Sequence, residues 1–223
     1  MVYGTETPVQ SRIVIANQKG GVGKTTIADS LADALERDER SVGFVSVDPQ
    51  SGARHADKKM TGDEEFIVVD TRGSIDDFSR TTLSIANLII VPMEPGELSM
   101  NATLRTYQMA REVVPDVPVI LIINKYTHFK ASRVCVAKVR SSELKNCDAI
   151  LYVPQRAAFA NATYNHRSIF DEDGRAAAPI RSLASMCESW HDGGEDRKVL
   201  RKMAGESNWF VDMTSDNAAE GSR

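Results

Sequence analysis

Lys19-Gly20-Gly21-Val22-Gly23-Lys24-Thr25-Thr26 stands between an apolar run, Ile13-Val14-Ile15-Ala16, and an Ala/Leu-rich segment. Strand, glycine loop and helix follow one another in the order a phosphate-binding loop needs. Glycines let successive backbone N–H groups turn inward around an anion. The helix that starts at Lys24 and Thr25 adds the positive end of its dipole. Lys24 is placed to reach the β- and γ-phosphates of a nucleotide, and the Thr25 hydroxyl suits Mg²⁺. From Thr25 to Glu36, Ile27, Leu31 and Leu35 recur on one face, which predicts the helix itself.

Working outward, Ser41-Val42-Gly43-Phe44-Val45-Ser46-Val47 is a strand-like run that ends in Asp48-Pro49-Gln50. A carboxylate there can orient a nucleophilic water, or Asp48-Pro49 can be an ordinary turn. Phe66-Ile67-Val68-Val69-Asp70 is an apolar run closed by a carboxylate, the pattern of a parallel strand buried on both faces. Thr71-Arg72-Gly73 follows, and Gly73 would permit rearrangement there. Three more apolar runs begin at Leu88, Val119 and Ala149, with helical stretches at Glu97–Val114 and Ser132–Leu144. Six β-type runs alternating with helices predict an α/β fold, a doubly wound, mainly parallel sheet flanked by helices. Ligands of such sheets bind beyond the carboxyl ends of the strands, where Lys24, Asp48 and Asp70 all fall.

The loop departs from the common G-x-x-x-x-G-K-[ST] spacing, because Gln18 stands where the first glycine would be and Lys19 is added. In this it resembles the deviant Walker A loop, K-G-G-x-G-K-[ST], of the ParA/MinD family of P-loop ATPases. Asp48-Pro49-Gln50 and Ala16-Asn17-Gln18 are similar to the ParA branch. The resemblance implies ATP and Mg²⁺ held by Lys19, Gly20, Gly21, Val22, Gly23, Lys24, Thr25 and Thr26. Lys19 would reach the partner's phosphates across a nucleotide-sandwich dimer; otherwise it is a solvated charge at a strand end. Asp48 would position the attacking water, and Asp70 would hold the Mg²⁺ shell. The family often has a second Asp where Ser46 stands here. Asn124-Lys125-Tyr126-Thr127 is similar to a guanine-reading N-K-x-D without its Asp, which favours ATP over GTP. Asn124 and the loop at Pro154 would then lie around the adenine, although Pro154 is equally a strand-ending breaker. Ser51 to Glu65 is polar and reads as one short helix or loop, shorter than in ParA relatives.

The activity implied is slow, Mg²⁺-dependent ATP hydrolysis that drives partition of a plasmid or chromosome. A homodimer formed with ATP would bind DNA without sequence preference, and a ParB-type centromere-binding adaptor would stimulate hydrolysis. The protein would be cytoplasmic and associated with the nucleoid when ATP is bound. The alternatives are a MinD-like protein positioning cargo or division machinery on a membrane, or another P-loop ATPase of the superfamily. A reductase similar to the nitrogenase iron protein needs cluster cysteines near the switches, and no Cys follows Asp70 until Cys135.

The 223 residues, 42% of them hydrophobic, suffice for one α/β core. The reading is one ATPase domain over 1–191, with 1–11 a short extension. Residues 192–223 read as a polar tail or short packing helix rather than a membrane anchor. A net charge of −4 means that any DNA contact must be local. Between Asn101 and Lys145 there are eight Lys/Arg against three acids, a candidate DNA patch or a solvated helix face. The three cysteines form no C-x-x-C pair, and the four histidines lack ligand spacing and read as surface or loop residues. No signal peptide or membrane-spanning run is evident.

Overall fold

Strand β1 (Ser11–Ile15) lies at the centre of a six-stranded, wholly parallel sheet in the computed structural model, which describes residues 10–48, 52–73, 77–206 and 209. The other strands are β2 (Val42–Ser46), β3 (Phe66–Asp70), β4 (Leu88–Met93), β5 (Val119–Tyr126) and β6 (Ala149–Pro154). Their order across the sheet is β2-β3-β1-β4-β5-β6. The helices are α1 (Lys24–Arg37), α2 (Asp77–Ser84), α3 (Glu97–Val113), α4 (Lys130–Arg140), α5 (Ala157–Tyr164), α6 (Ile169–Glu172), α7 (Ala178–Asp192) and α8 (Arg197–Glu206).

The continuous apolar strands are explained by two buried faces. Ile13, Ile15, Phe66, Val68 and Ile90 point to one side, where Leu31 and Leu35 of α1 and Leu183 and Trp190 of α7 cover them. Val14, Ile67, Val69, Ile89 and Leu121 point to the other, against Tyr107 and Ala110 of α3 and Val136 of α4. Helix α4 stops at Arg140 rather than running on to Leu144. The Ser142 hydroxyl accepts from Leu144 N (3.3 Å) and donates to Val139 O (3.0 Å), so it competes with the helix backbone and starts a separate 3₁₀ turn.

Strand pairing sets the site. Ile15 is in register with Asp70, and Asp70 with Ser46, so the carboxyl ends of β1, β2 and β3 lie flush. The order reverses direction around β1, whose neighbours are β3 and β4, and this makes a crevice at its carboxyl end.

Past the expected domain end, α8 packs with Leu200 fully buried against the α1/α7 side of the core. The Tyr152 N–H of edge strand β6 donates to Trp209 O (2.8 Å), which covers part of that edge. Residues 1–9, 207–208 and 210–223 lie outside the described residues, and Ser11, expected in an extension, already belongs to β1.

Candidate functional site

The loop from Ala16 to Gly23 leaves β1 and enters α1 at the crevice. Its root is held by Asn17, whose side-chain amide donates to Pro92 O and Thr103 Oγ1 (both 2.8 Å) and whose Oδ1 accepts from Lys19 N (2.9 Å). Gly21 (φ +79°) and Gly23 (φ +93°) occupy the left-handed region that favours glycine. A Cβ on Gly23 would also lie 2.3 Å from Asn124 Nδ2, so the loop closes only with glycine there. Helix α1 has no side-chain cap at Gly23 and no acid in its first turn. Its N-terminal N–H groups and positive pole therefore face the loop, as an anion site requires.

Three charged groups converge on this loop. Lys24 is buried, and its Nζ donates to Lys19 O (3.4 Å). Burial lowers its pKa, while the carboxylates of Asp70 and then Asp48 pull it back up. The Thr25 hydroxyl donates to Asp70 Oδ2 (2.8 Å), and Asp70 is 0% exposed at the end of β3. A hydroxyl beside a buried carboxylate is a hard oxygen donor set that fits Mg²⁺. A Cβ on Gly73 would lie 3.3 Å from Gln18 O and Gly20 N and 3.4 Å from Lys24 Nζ, so the segment after Asp70 rests directly on the loop. Asp48 is described, whereas Pro49, Gln50 and Ser51 lie outside the described residues.

Asn124 reaches the loop from β5, its Nδ2 donating to Val22 O (2.9 Å), and Pro154 ends β6. A cavity of about 180 Å³ opens beside Thr25 and Thr26, walled by Asp29, Arg54, Phe159 and Arg167; Asn124 and Pro154 are not among its lining residues. Phe159 reaches this wall from α5.

Gly52 to Lys58 is a loop docked on α1 by charge. Asp29 Oδ1 accepts from His55 N (3.1 Å) and faces His55 Nδ1 (2.7 Å), and Asp29 Oδ2 accepts from Arg54 Nε (3.0 Å). His55 Nε2 faces Glu36 Oε2 (3.2 Å), and Lys58 pairs with Glu36. His55, expected at the surface or in a loop, is in a loop but buried, with the Phe44 ring 5.8 Å away. Burial lowers its pKa, but the hydrogen bond and charge of Asp29 and the charge of Glu36 outweigh this and raise it above the ordinary 6.5. The folded pKa is the higher one, so this stabilisation is complete below pH 6.5 and is lost as pH rises through the folded value. Urea midpoints should therefore fall across that rise in the wild type and change less with pH in His55→Gln. Equal pH slopes would show that the imidazolium does not hold the loop.

Part of the basic stretch between Asn101 and Lys145 is engaged within the chain. Arg105 Nε donates to Gln18 Oε1 (3.2 Å), Arg111 lies over the Tyr107 ring (5.2 Å), and Lys125 turns to the phosphate loop and Glu94. Lys130, Arg133, Lys138 and Lys145 remain exposed, the first three on α4.

The family model of the CobQ/CobB/MinD/ParA nucleotide binding domain matches residues 13–169. The chain belongs to that family. Within the MinD/ParA family, it is 28% identical over 197 residues to Maintenance of carboxysome distribution protein A of Halothiobacillus neapolitanus, covering 74% of this chain and 90% of that protein. It is 57% identical to the chromosome-partitioning ATPase Soj of Thermus thermophilus, over 42 residues that cover 19% and 17% of the two chains. The fold matches the Cyanothece McdA(D38A)–ATP complex with a TM-score of 0.66 at 14% identity, over 79% of this chain and 95% of that one. It matches Pyrococcus horikoshii MinD with Mg-ADP with a TM-score of 0.63 at 14% identity, over 82% and 99%.

Proposed function

We propose that the chain is a slow, Mg²⁺-dependent ATPase of the ParA type that partitions a plasmid or chromosome. Two copies would close face to face over two ATP molecules, and the closed dimer would bind DNA without sequence preference, which places it on the nucleoid. A ParB-type centromere-binding adaptor would stimulate hydrolysis and reopen it. The observation that carries this reading is the convergence of the two-lysine loop, the Thr25–Asp70 pair and Asp48 at one crevice.

In this reading the N–H groups from Gly20 to Thr26 and the Lys24 ammonium hold the phosphates. Thr25 and Asp70 would hold Mg²⁺, which when bound supplies neutralising charge at the phosphate oxygens. Asp48 orients the attacking water, and Lys19 reaches the partner's phosphates. Asn124 keeps one amide hydrogen beyond its bond to Val22 O and, with Pro154, borders the adenine. The exposed Lys130, Arg133 and Lys138 of α4, with Lys145 beyond it, are basic residues of that stretch open to DNA.

A membrane role draws less support. Leu200 of α8 is buried in the core, and among the described residues no helix is long and apolar enough to cross a membrane. A second reading, in which the cargo is a protein compartment, is favoured by the similarity to the carboxysome distribution protein across 90% of its length.

Light scattering and co-sedimentation test the proposal. With a non-hydrolysable ATP analogue the wild type should dimerise and retain DNA, with retention falling steeply as salt rises; with ADP it should do neither. Lys19→Ala should weaken dimerisation roughly tenfold, because charge-assisted bonds across the interface are lost. Unchanged dimerisation would remove the trans role of Lys19. A wild type that ignores DNA but sediments with anionic liposomes would replace partition with membrane positioning. DNA retention without any response to a centromere-binding adaptor would favour the protein cargo.

A further inference from the structure

The pairing of β5 with β6 is irregular between Ile123 and Tyr126, and Asn124 and Lys125 sit in that irregularity. Lys125 has φ +53°, a left-handed conformation uncommon for a residue with a side chain. A strained residue persists where its surroundings hold it. Here both side chains turn back onto the same loop. Asn124 Nδ2 donates to Val22 O (2.9 Å), Lys125 Nζ donates to Gly21 O (3.2 Å), and Nζ also pairs with Glu94, just beyond the end of β4.

Two consecutive carbonyls of the phosphate loop are therefore held toward β5. In a trans peptide the C=O of one residue and the N–H of the next point in opposite directions. Holding Gly21 O and Val22 O on the β5 side turns the N–H groups of Val22 and Gly23 to the other side, into the loop. The loop needs such a restraint, because Gly21 and Gly23 leave its peptide planes free to rotate.

We propose that Lys125 is a positioning residue for the phosphate loop. Together with Asn124 it sets the peptide planes of Gly21 and Val22 before any nucleotide arrives, and Glu94 keeps its ammonium in place. This removes Lys125 from the candidate DNA surface. The proposal rests on the reading of the loop as a nucleotide-phosphate site.

The rival account is that Lys125 attracts phosphate only as a nearby positive charge. Glu94→Gln separates the two, because it removes a negative charge beside the anion site while leaving Lys125 intact. By charge alone it should tighten ADP binding. If Glu94 restrains Lys125, it should weaken ADP binding, by about fivefold for a half-exposed pair. Lys125→Met should weaken it at least as much, and Lys125→Arg should restore part of the loss.

A second measurement needs no nucleotide. Amide exchange of Val22 and Gly23, followed by NMR in the apo protein, should quicken several-fold in Lys125→Met, with thermal melting as the check that the variant folds. Unchanged exchange, or tighter ADP binding by Glu94→Gln, overturns the proposal. If the wild type binds neither ATP nor ADP, the phosphate-site reading fails, and apo exchange alone then decides whether the restraint exists.

Discussion

Lys24→Ala should reduce ATP turnover at least about a hundredfold, with nucleotide binding lost at ordinary concentrations. Lys24 is 7% exposed; burial lowers its pKa, and the carboxylates of Asp70 and then Asp48 offset part of that. Removing it leaves two carboxylates facing the place a triphosphate would occupy. The variant thus loses an attraction and gains a repulsion. The fold should survive, since the lost side chain is a partly desolvated charge and the Thr25–Asp70 hydrogen bond remains. Titration with an ATP analogue, phosphate release and thermal melting make the comparison. Turnover at the wild-type rate would remove the ATPase assignment.

Asp148→Ala should be the most damaging substitution outside the site. Asp148 precedes β6, and its side chain is 0% exposed. It accepts from Val119 N (3.0 Å), from Arg197 through both oxygens (2.9 Å each) and from Arg201 (3.0 Å). One carboxylate thus joins the start of β5 to α8. Its loss strands a buried N–H and two guanidinium groups, at a cost of about 3 kcal/mol, the lower end for a broken buried pair because both arginines reach solvent. The melting temperature should drop by about 8 °C, and α8 should become the first site of tryptic cleavage. A melt within 2 °C or so of wild type would mean that burial of Leu200 alone docks the helix.

The strands were legible because burial on both faces leaves little choice but Val, Ile, Leu and Phe, and Phe66–Asp70 was bounded to the residue. The loop, Thr25 and Asp70 stood out because each is marked by its own local pattern, a glycine run before a helix and an apolar strand closed by a carboxylate. What escaped depends on partners far away in sequence. His55 is buried because Asp29 and Glu36 project from α1, and no spacing within Ser51–Glu65 announces that. Arg197 and Arg201 fell within the segment read as a polar tail or short packing helix, since their partner Asp148 lies about fifty positions earlier. Lys125 counted as one of eight basic residues until its backbone turned it onto the loop.

The flush ends of β1, β2 and β3 carry a kinetic consequence. Lys24 and Asp48 follow β1 and β2, and Asp70 ends β3; these strands meet only through parallel pairing of distant segments, with Ile15, Asp70 and Ser46 aligned across the sheet. No hairpin or isolated helix assembles any two of them. Such non-local pairing is slow to form, and the crevice exists only once it is complete. A nucleotide that recognises this crevice therefore finds nothing to hold on the way up the folding barrier. It would act as a brake on unfolding, lengthening the lifetime of the native chain while leaving the rate at which that chain first folds unchanged.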